Sequence, residues 1–280
     1  MRIVVTGGSG KAGRWVVRDL RERGHDVLNV DLAHDGSAHG LCIRTDLTDL
    51  GQCHEVVAGA DAVVHLAAIP APELRPAGET FRTNALSTYN VFSAAVDRGV
   101  GRVVWASSET VLGLPFAPAT PPPFAPLDET AIRPESSYAL SKLVGETMAV
   151  QFARRSGISF TGLRISNIME PGDYAAFPGY QADPHDRMWN LWGYIDVRDV
   201  AGAVRAALAA PTTGAEVCIV AAADTVMRRP SADLMAEVFP EVPLRRALAG
   251  RETLLSVERA AQLIGWRPEH GWPASGSVEA

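Results

Sequence analysis

Tyr138 and Lys142 stand four residues apart in Tyr138-Ala-Leu-Ser-Lys142, and on a helix that spacing puts both side chains on one face, a turn apart. Such a pair can move a proton. A free phenol has a pKa of about 10, and an ammonium held beside it favours the phenolate. The spacing therefore predicts a tyrosine whose pKa is drawn down into a useful range. The same spacing also occurs in helices whose tyrosine packs in the core and whose lysine is solvated, so the rest of the chain must decide between the two.

The elements that would position this pair begin at the N terminus. Ile3, Val4 and Val5 form an apolar run too short for a helix, and it stops at Thr6-Gly7-Gly8; this predicts a buried parallel strand and a turn. Gly7, Gly10 and Gly13 then recur at every third residue around Lys11 and Ala12, leading into the amphipathic stretch Trp15 to Arg23 that Gly24 ends. A glycine turn before a helix lets the backbone approach a pyrophosphate and offers it free amides at the positive end of the helix dipole. The next strand, Val27 to Val30, ends at Asp31, placed to bond an adenosine ribose and to repel a 2′-phosphate. Leu32, Ala33 and His34 follow it without an arginine or lysine, so NAD is expected over NADP.

The rhythm continues with Leu41 to Arg44 before Asp46-Leu47, Ala62 to Leu66 before Ala67-Ala68, and Val103 to Ala106 before Ser107-Ser108, with helical patterns such as Phe81 to Arg98 between them. Strands alternating with helices predict an α/β fold, a doubly wound parallel sheet of Rossmann type with ligands at the carboxyl ends of its strands. A length of 280 residues allows one large unit with a smaller appendage. A net charge of -6 without lysine- or arginine-rich runs argues against a nucleic-acid partner or a membrane surface. Cys42, Cys53 and Cys218 are far apart with no C-x-x-C, so they read as small buried residues of a reducing cytosol, with neither a disulfide framework nor a metal site. With no signal-like N terminus and no apolar run long enough for a bilayer, a soluble cytoplasmic protein is expected.

Taken together, Thr6-Gly-Gly-Ser-Gly-Lys-Ala-Gly13, Asp31, Asp46-Leu47, His65-Leu-Ala-Ala68, Asn84, Ser107-Ser108, Tyr138-x-x-x-Lys142 and the closing Leu263-Ile-Gly-Trp-Arg-Pro268 resemble the extended short-chain dehydrogenase/reductases, specifically the NAD-dependent epimerase/dehydratase family. The likeness spans nearly the whole chain. It implies that Ser108, rather than Ser107, hydrogen-bonds the reacting substrate oxygen, because Ser108-Glu109-Thr110-Val111-Leu112-Gly113 fits the family stretch, with Leu112 where a tyrosine is usual. Tyr138 would then exchange the proton of that oxygen, and Lys142 would hold the nicotinamide ribose while lowering the tyrosine pKa. Implied cofactor contacts are Gly7, Gly10, Lys11, Ala12, Gly13, Asp31, Asp46, Leu47, Leu66, Ala67, Ala68 and Asn84, together with Tyr138 and Lys142. His65, inside an apolar strand, reads as a satisfied core histidine.

Departures from the family pattern narrow the chemistry. The dehydratase branch carries Thr-Asp-Glu where this chain has Ser108-Glu109-Thr110, which takes the eliminating acid from its expected place. Nucleotide-sugar epimerases supply an arginine to the substrate diphosphate where this chain has Trp192, and that loses a charge-assisted bidentate partner. Asn167, Arg187 and Trp192 are the candidate substrate contacts beside Ser108. Arg187 and Trp192 lie in a segment with Tyr174, Phe177, Tyr180 and Trp189 that reads equally as a ligand wall or as a loop packed on the core. The proline-rich Leu114 to Pro126 cannot be helical and is expected as an extended surface loop near the site, with a lid or partner-binding role open.

The expected organisation is an NAD-binding Rossmann domain over 1–165, completed by 194–210, with a small substrate-binding part formed by 166–193 and 211–280. The resemblance further implies a homodimer through helices near Phe81 to Val96 and Tyr138 to Arg154. The leading function is hydride transfer at a secondary alcohol or ketone of a sugar-like small molecule, similar to uronate dehydrogenases. A nucleotide-sugar 4-epimerase and a non-catalytic NAD-binding regulator are the alternatives.

Overall fold

A computed structural model describes residues 1–32 and 42–272. Strands β1 (Arg2–Thr6), β2 (Asp26–Asp31), β3 (Cys42–Arg44), β4 (Ala62–His65), β5 (Arg102–Ser108) and β6 (Ser159–Ile165) alternate with helices α1 (Lys11–Glu22), α2 (Leu50–Val57), α3 (Ala77–Asp97) and α4 (Ser137–Ser156). Two further strands, β7 (Ile168–Met169) and β8 (Ile195–Asp196), pair in parallel with each other. Then come α5 (Val197–Ala209) and β9 (Ala215–Val220), followed by α6 (Ser231–Val238) and α7 (Glu258–Ile264). The main sheet has seven strands in the order β3-β2-β1-β4-β5-β6-β9, every pair parallel.

Side-chain alternation in β1 builds both layers at once. Ile3 and Val5 face the cluster holding Val16, Val17 and Leu20 of α1 with Val204 and Leu208 of α5. Val4 faces the other cluster, with Val91 and Phe92 of α3 and Phe152 of α4. A strand buried on both faces reads as a continuous apolar run because each parity meets its own layer of helices. Chain order reverses at β1, which pairs with β2 on one side and β4 on the other. Their following loops diverge there, leaving a crevice at the carboxyl ends of the strands.

The structure corrects several expectations. Helix α1 starts at Lys11, ahead of Trp15, so the last third of the glycine turn is already helical. Residues 215–220 form β9 along β6, so the boundary expected at 211 leaves a strand of the main sheet inside the smaller part. The proline-rich stretch is anchored at both ends: Leu114, Phe116 and Ala125, with Leu127 just after it, are buried, while Pro115, Pro118 to Pro121 and Pro123 are exposed. Leu41, expected to open the third strand, lies outside the described residues, as do Ala33, His34 and 273–280. Among the described residues no helix is long and apolar enough to cross a membrane.

Candidate active site

A cavity of about 790 Å³ runs along the crevice from the glycine turn to the start of α4. Of the residues expected to hold a cofactor, Gly7, Gly10, Lys11, Ala12, Gly13, Asp31, Asp46, Leu47, Leu66, Ala67 and Ala68 all line it, and Ser108, Tyr138, Lys142 and Asn167 line the same cavity. Gly7 has φ +69°, and a Cβ there would lie 2.6 Å from the Ala67 nitrogen, so the turn can pack against the β4 loop only as glycine. A Cβ on Gly10 would meet only the Gly7 carbonyl oxygen, at 3.3 Å, which leaves this face of the turn clear for a ligand. Asp31 holds the turn from β2: one carboxylate oxygen accepts from Ser9 N at 3.0 Å and the other from Leu32 N at 2.7 Å. An open glycine face at a helix start, with a carboxylate at the end of the next strand, fits an adenosine diphosphate whose ribose lacks a 2′-phosphate.

Tyr138 and Lys142 occupy the first turns of α4, which Ser136 caps by accepting from Ala139 N at 3.1 Å. The Lys142 ammonium donates to the Ala106 carbonyl at 2.9 Å and sits 5.6 Å from the centre of the Tyr138 ring. Burial lowers the Lys142 pKa to about 8. It pushes the Tyr138 phenol up to about 12, a rise that the Glu109 carboxylate adds to and the Ser108 hydroxyl opposes. The spacing alone predicts a phenol depressed by the lysine; in the protein by itself desolvation of the phenolate dominates, and what opposes it is the Ser108 hydrogen bond.

Geometry also separates the two serines at the end of β5. Ser107 donates its hydroxyl to Glu146 at 2.6 Å, and Glu146 is held bidentately by the buried Arg164. The Ser108 oxygen accepts from Thr110 N at 3.2 Å and from the Thr110 hydroxyl at 3.0 Å, which leaves its own O–H to donate into the cavity.

Three expected contacts do not reach the wall. Asn84 accepts from Ile69 N at 2.8 Å and donates to Ile69 O at 3.1 Å, so its amide fixes the loop after β4 and leaves the lining to Ile69 itself. Trp192 is fully buried, donates from its indole to Pro184 O at 2.7 Å and packs on Phe239. Arg187 is buried between the Tyr180 and Trp189 rings, its guanidinium carbon 5.1 and 5.2 Å from their centres. Most of the aromatic segment is core: Tyr174 and Phe177 pack with Tyr194 and Trp272, while Trp189 lines the cavity. His65 is enclosed by Thr6 and Thr88 hydroxyls at 2.7 and 3.2 Å, with burial lowering its pKa to about 3, so it is a neutral core group.

The structure adds Glu109, Ser166, Leu114 and Trp189 to the wall. Glu109 had a local signal, since it directly follows Ser108 at the strand end. The others arrive from separate strands and loops and carry no motif.

Comparisons with known proteins agree with this arrangement. The model of the NAD dependent epimerase/dehydratase family matches residues 3–221. The chain is 31% identical over 219 residues to a uronate dehydrogenase of Pseudomonas syringae pv. tomato, covering 76% of this chain and 71% of that protein. It is 34% identical over 171 residues to an L-arabinose 1-dehydrogenase (NAD(P)(+)) of Haloferax volcanii, covering 59% and 66%. Among solved structures, MoeE5 in complex with UDP-glucuronic acid and NAD superposes with a TM-score of 0.72 at 26% identity, covering 97% of this chain and 95% of that one. A short-chain dehydrogenase/reductase superfamily protein from Agrobacterium tumefaciens superposes with a TM-score of 0.75 at 23% identity, covering 98% and 94%, a likeness of fold. The family match runs from the first strand of the main sheet through its last and takes in both the glycine turn and the Tyr138-Lys142 face; the chain is an enzyme with NAD as its cofactor, and it belongs to the NAD-dependent epimerase/dehydratase family.

Proposed function

We propose that this enzyme is a dehydrogenase that oxidises a secondary alcohol of a small, free sugar-like molecule. One observation carries the reading: Ser108, Tyr138 and Lys142 open into the same cavity as the glycine turn and Asp31, whereas Trp192, where epimerases place a diphosphate-binding arginine, is locked in the core. When bound, NAD supplies the hydride acceptor. The chain's own residues handle the substrate oxygen. Ser108 donates a hydrogen bond to it and Tyr138 exchanges its proton. Lys142, oriented by the Ala106 carbonyl, presents the positive charge that favours the phenolate while alcohol is being oxidised. In the reverse direction the protonated phenol is the donor. Asp31 gives NAD precedence over NADP.

Two relatives are named for unattached monosaccharides, a uronate and L-arabinose, and others for nucleotide sugars; the missing diphosphate partner favours the first group. Exposed Leu86 and Tyr89 on α3 and Leu140 and Val150 on α4 form the apolar surface through which two copies would pair, in keeping with a homodimer. The site belongs to a soluble cytoplasmic enzyme in this reading.

The test is a panel of free aldoses, uronic acids and UDP-sugars with NAD, followed by reduced-cofactor absorbance. NADH should form with free sugars. Micromolar UDP binding beside saturating NAD, with no net NADH, would move the reading to an epimerase. NAD binding with no chemistry on any of them would leave a regulator.

A further inference from the structure

Glu109 is a carboxyl on the cavity wall that the proton exchange at Tyr138 leaves without a role. It opens the short 3-10 helix Glu109–Leu112 and is only 3% exposed, yet it lines the cavity beside Ser108. One oxygen accepts from the Ser166 hydroxyl and the other from the Asn190 amide at 3.3 Å. Both partners are neutral. Arg187 faces Glu109 from the short helix Pro184–Asn190, but its guanidinium is held behind the wall by Tyr180 and Trp189.

The charges on the remaining wall sharpen the point. Among the described residues that line the cavity the cations are Lys11 and Lys142. Lys11 is ion-paired with Asp173 at 2.5 Å, and Lys142 is oriented by Ala106 beneath Tyr138. On this wall Glu109 follows Ser108 in the chain, accepts from the Ser166 hydroxyl and the Asn167 backbone, and faces the Tyr138 phenol: hydroxyls and amides without a cation between them. An ionised carboxylate has only acceptors, so it takes hydrogen bonds from sugar hydroxyls and repels a second anion. At about 5 Å and an effective dielectric of about 20, that repulsion corresponds to discrimination of up to roughly 250-fold.

We propose that Glu109 sets substrate charge, selecting an uncharged aldose, whose hydroxyls it accepts, over the matching uronic acid or sugar phosphate. The inference rests on the dehydrogenase reading and narrows it. Burial raises the Glu109 pKa to about 7, so the repulsion is present above neutrality and fades below it. The titratable and charged groups facing Glu109 are Tyr138 from α4 and Arg187 from the 184–190 helix; Ser166, Asn167 and Asn190 carry no charge.

The experiment measures kcat/KM with NAD for D-galactose against D-galacturonate and D-glucose against D-glucuronate, pairs that differ in one CH2OH or carboxylate. Proton transfer at Tyr138 is common to both members of a pair and cancels in the ratio, whereas Lys142, with its pKa lowered to about 8, also changes charge across this range, so the comparison with Glu109→Gln at each pH isolates the carboxylate. Wild-type protein at about pH 8.5 should favour the aldose about tenfold or more, and the ratio should shrink towards one as the pH falls to about 6. Glu109→Gln should lower the ratio about tenfold or more at about pH 8.5 and leave it near the wild-type value at about pH 6. A wild-type preference for the uronate at about pH 8.5, or a ratio there that Glu109→Gln does not move, overturns the proposal while leaving the dehydrogenase intact. Should Glu109→Gln fail to fold, Glu109→Met takes its place at the same pH values, because Lys142 moves the wild-type series on its own. NAD binding with no NADH from either member of any pair would remove the dehydrogenase reading itself, and this proposal with it.

Discussion

Glu109 and Asp31 are carboxylates at opposite ends of one cavity, and each makes a separable prediction. The Glu109 pKa is raised to about 7 by burial, above its unfolded value of about 4.3. The folded protein therefore holds that proton where the unfolded chain has lost it, and stability is lost as pH rises through the window from about 4.3 to about 7. Glu109→Gln should gain stability over wild type across that window, by up to about 3 kcal/mol above neutrality, as urea titrations at a series of pH values would record. A difference flat in pH would mean that the carboxyl is not buried as described. Asp31→Ala removes the acceptors for Ser9 N and Leu32 N as well as the proposed ribose partner. Calorimetry should find NAD bound about tenfold to a hundredfold more weakly and the gap to NADP narrowed; NADP bound as tightly as NAD by wild type would contradict the assignment. Asp31 was legible because it ends a strand at a fixed distance after a glycine turn. The pKa values of Tyr138 and Lys142 were not, because four-residue spacing fixes which face they share and says nothing of how deeply β5 and the 165–168 loop bury it.

At the scale of elements, the unit β1, turn and α1 depends on backbone contacts that only glycine permits. A Cβ at Gly13 would lie 2.0 Å from the Gly7 carbonyl oxygen and 2.6 Å from the Gly8 Cα, and neither neighbour is a flexible side chain that could yield. Gly13→Ala should therefore lower NAD affinity about tenfold or more, while Gly78→Ala, where nothing lies within 4 Å, should leave it unchanged. The pair Glu146 and Arg164 ties α4 to β6 and carries Ser107 with it. Arg164→Met strands a carboxylate and should cost about 3 to 5 kcal/mol in denaturant unfolding; a loss under about 1 kcal/mol would place the pair among weak surface contacts. Apolar runs punctuated by glycine made the first five strands readable. The role of β9 was hidden because Ala215-Glu-Val-Cys-Ile-Val220 follows the long excursion through β7, β8 and α5, and edge pairing with β6 has no local signature. The family pattern alone makes Trp192 a substrate contact, and its place in that pattern says nothing of its packing, which buries the indole against Phe239 and bonds it to Pro184 O.

For the whole molecule, Leu86, Tyr89, Leu140 and Val150 are the large apolar side chains that α3 and α4 leave exposed. If they pair two copies, sedimentation should give a dimer for wild type and a monomer for Tyr89→Glu, with NAD affinity retained. A wild-type monomer at micromolar concentration would contradict this. In the proposed mechanism one cavity joins a dinucleotide site built by β1, β2 and β4 to a proton-transfer site built by β5 and α4. Tyr138→Phe separates the two, since it removes one hydroxyl and keeps the buried ring. With a free sugar that wild type oxidises, single-turnover and steady-state rates of NADH formation by Tyr138→Phe should fall by about 10²- to 10⁴-fold, with NAD affinity unchanged by calorimetry. Wild-type turnover in Tyr138→Phe would contradict the assignment and reduce Tyr138 and Lys142 to neighbours on a buried helix face.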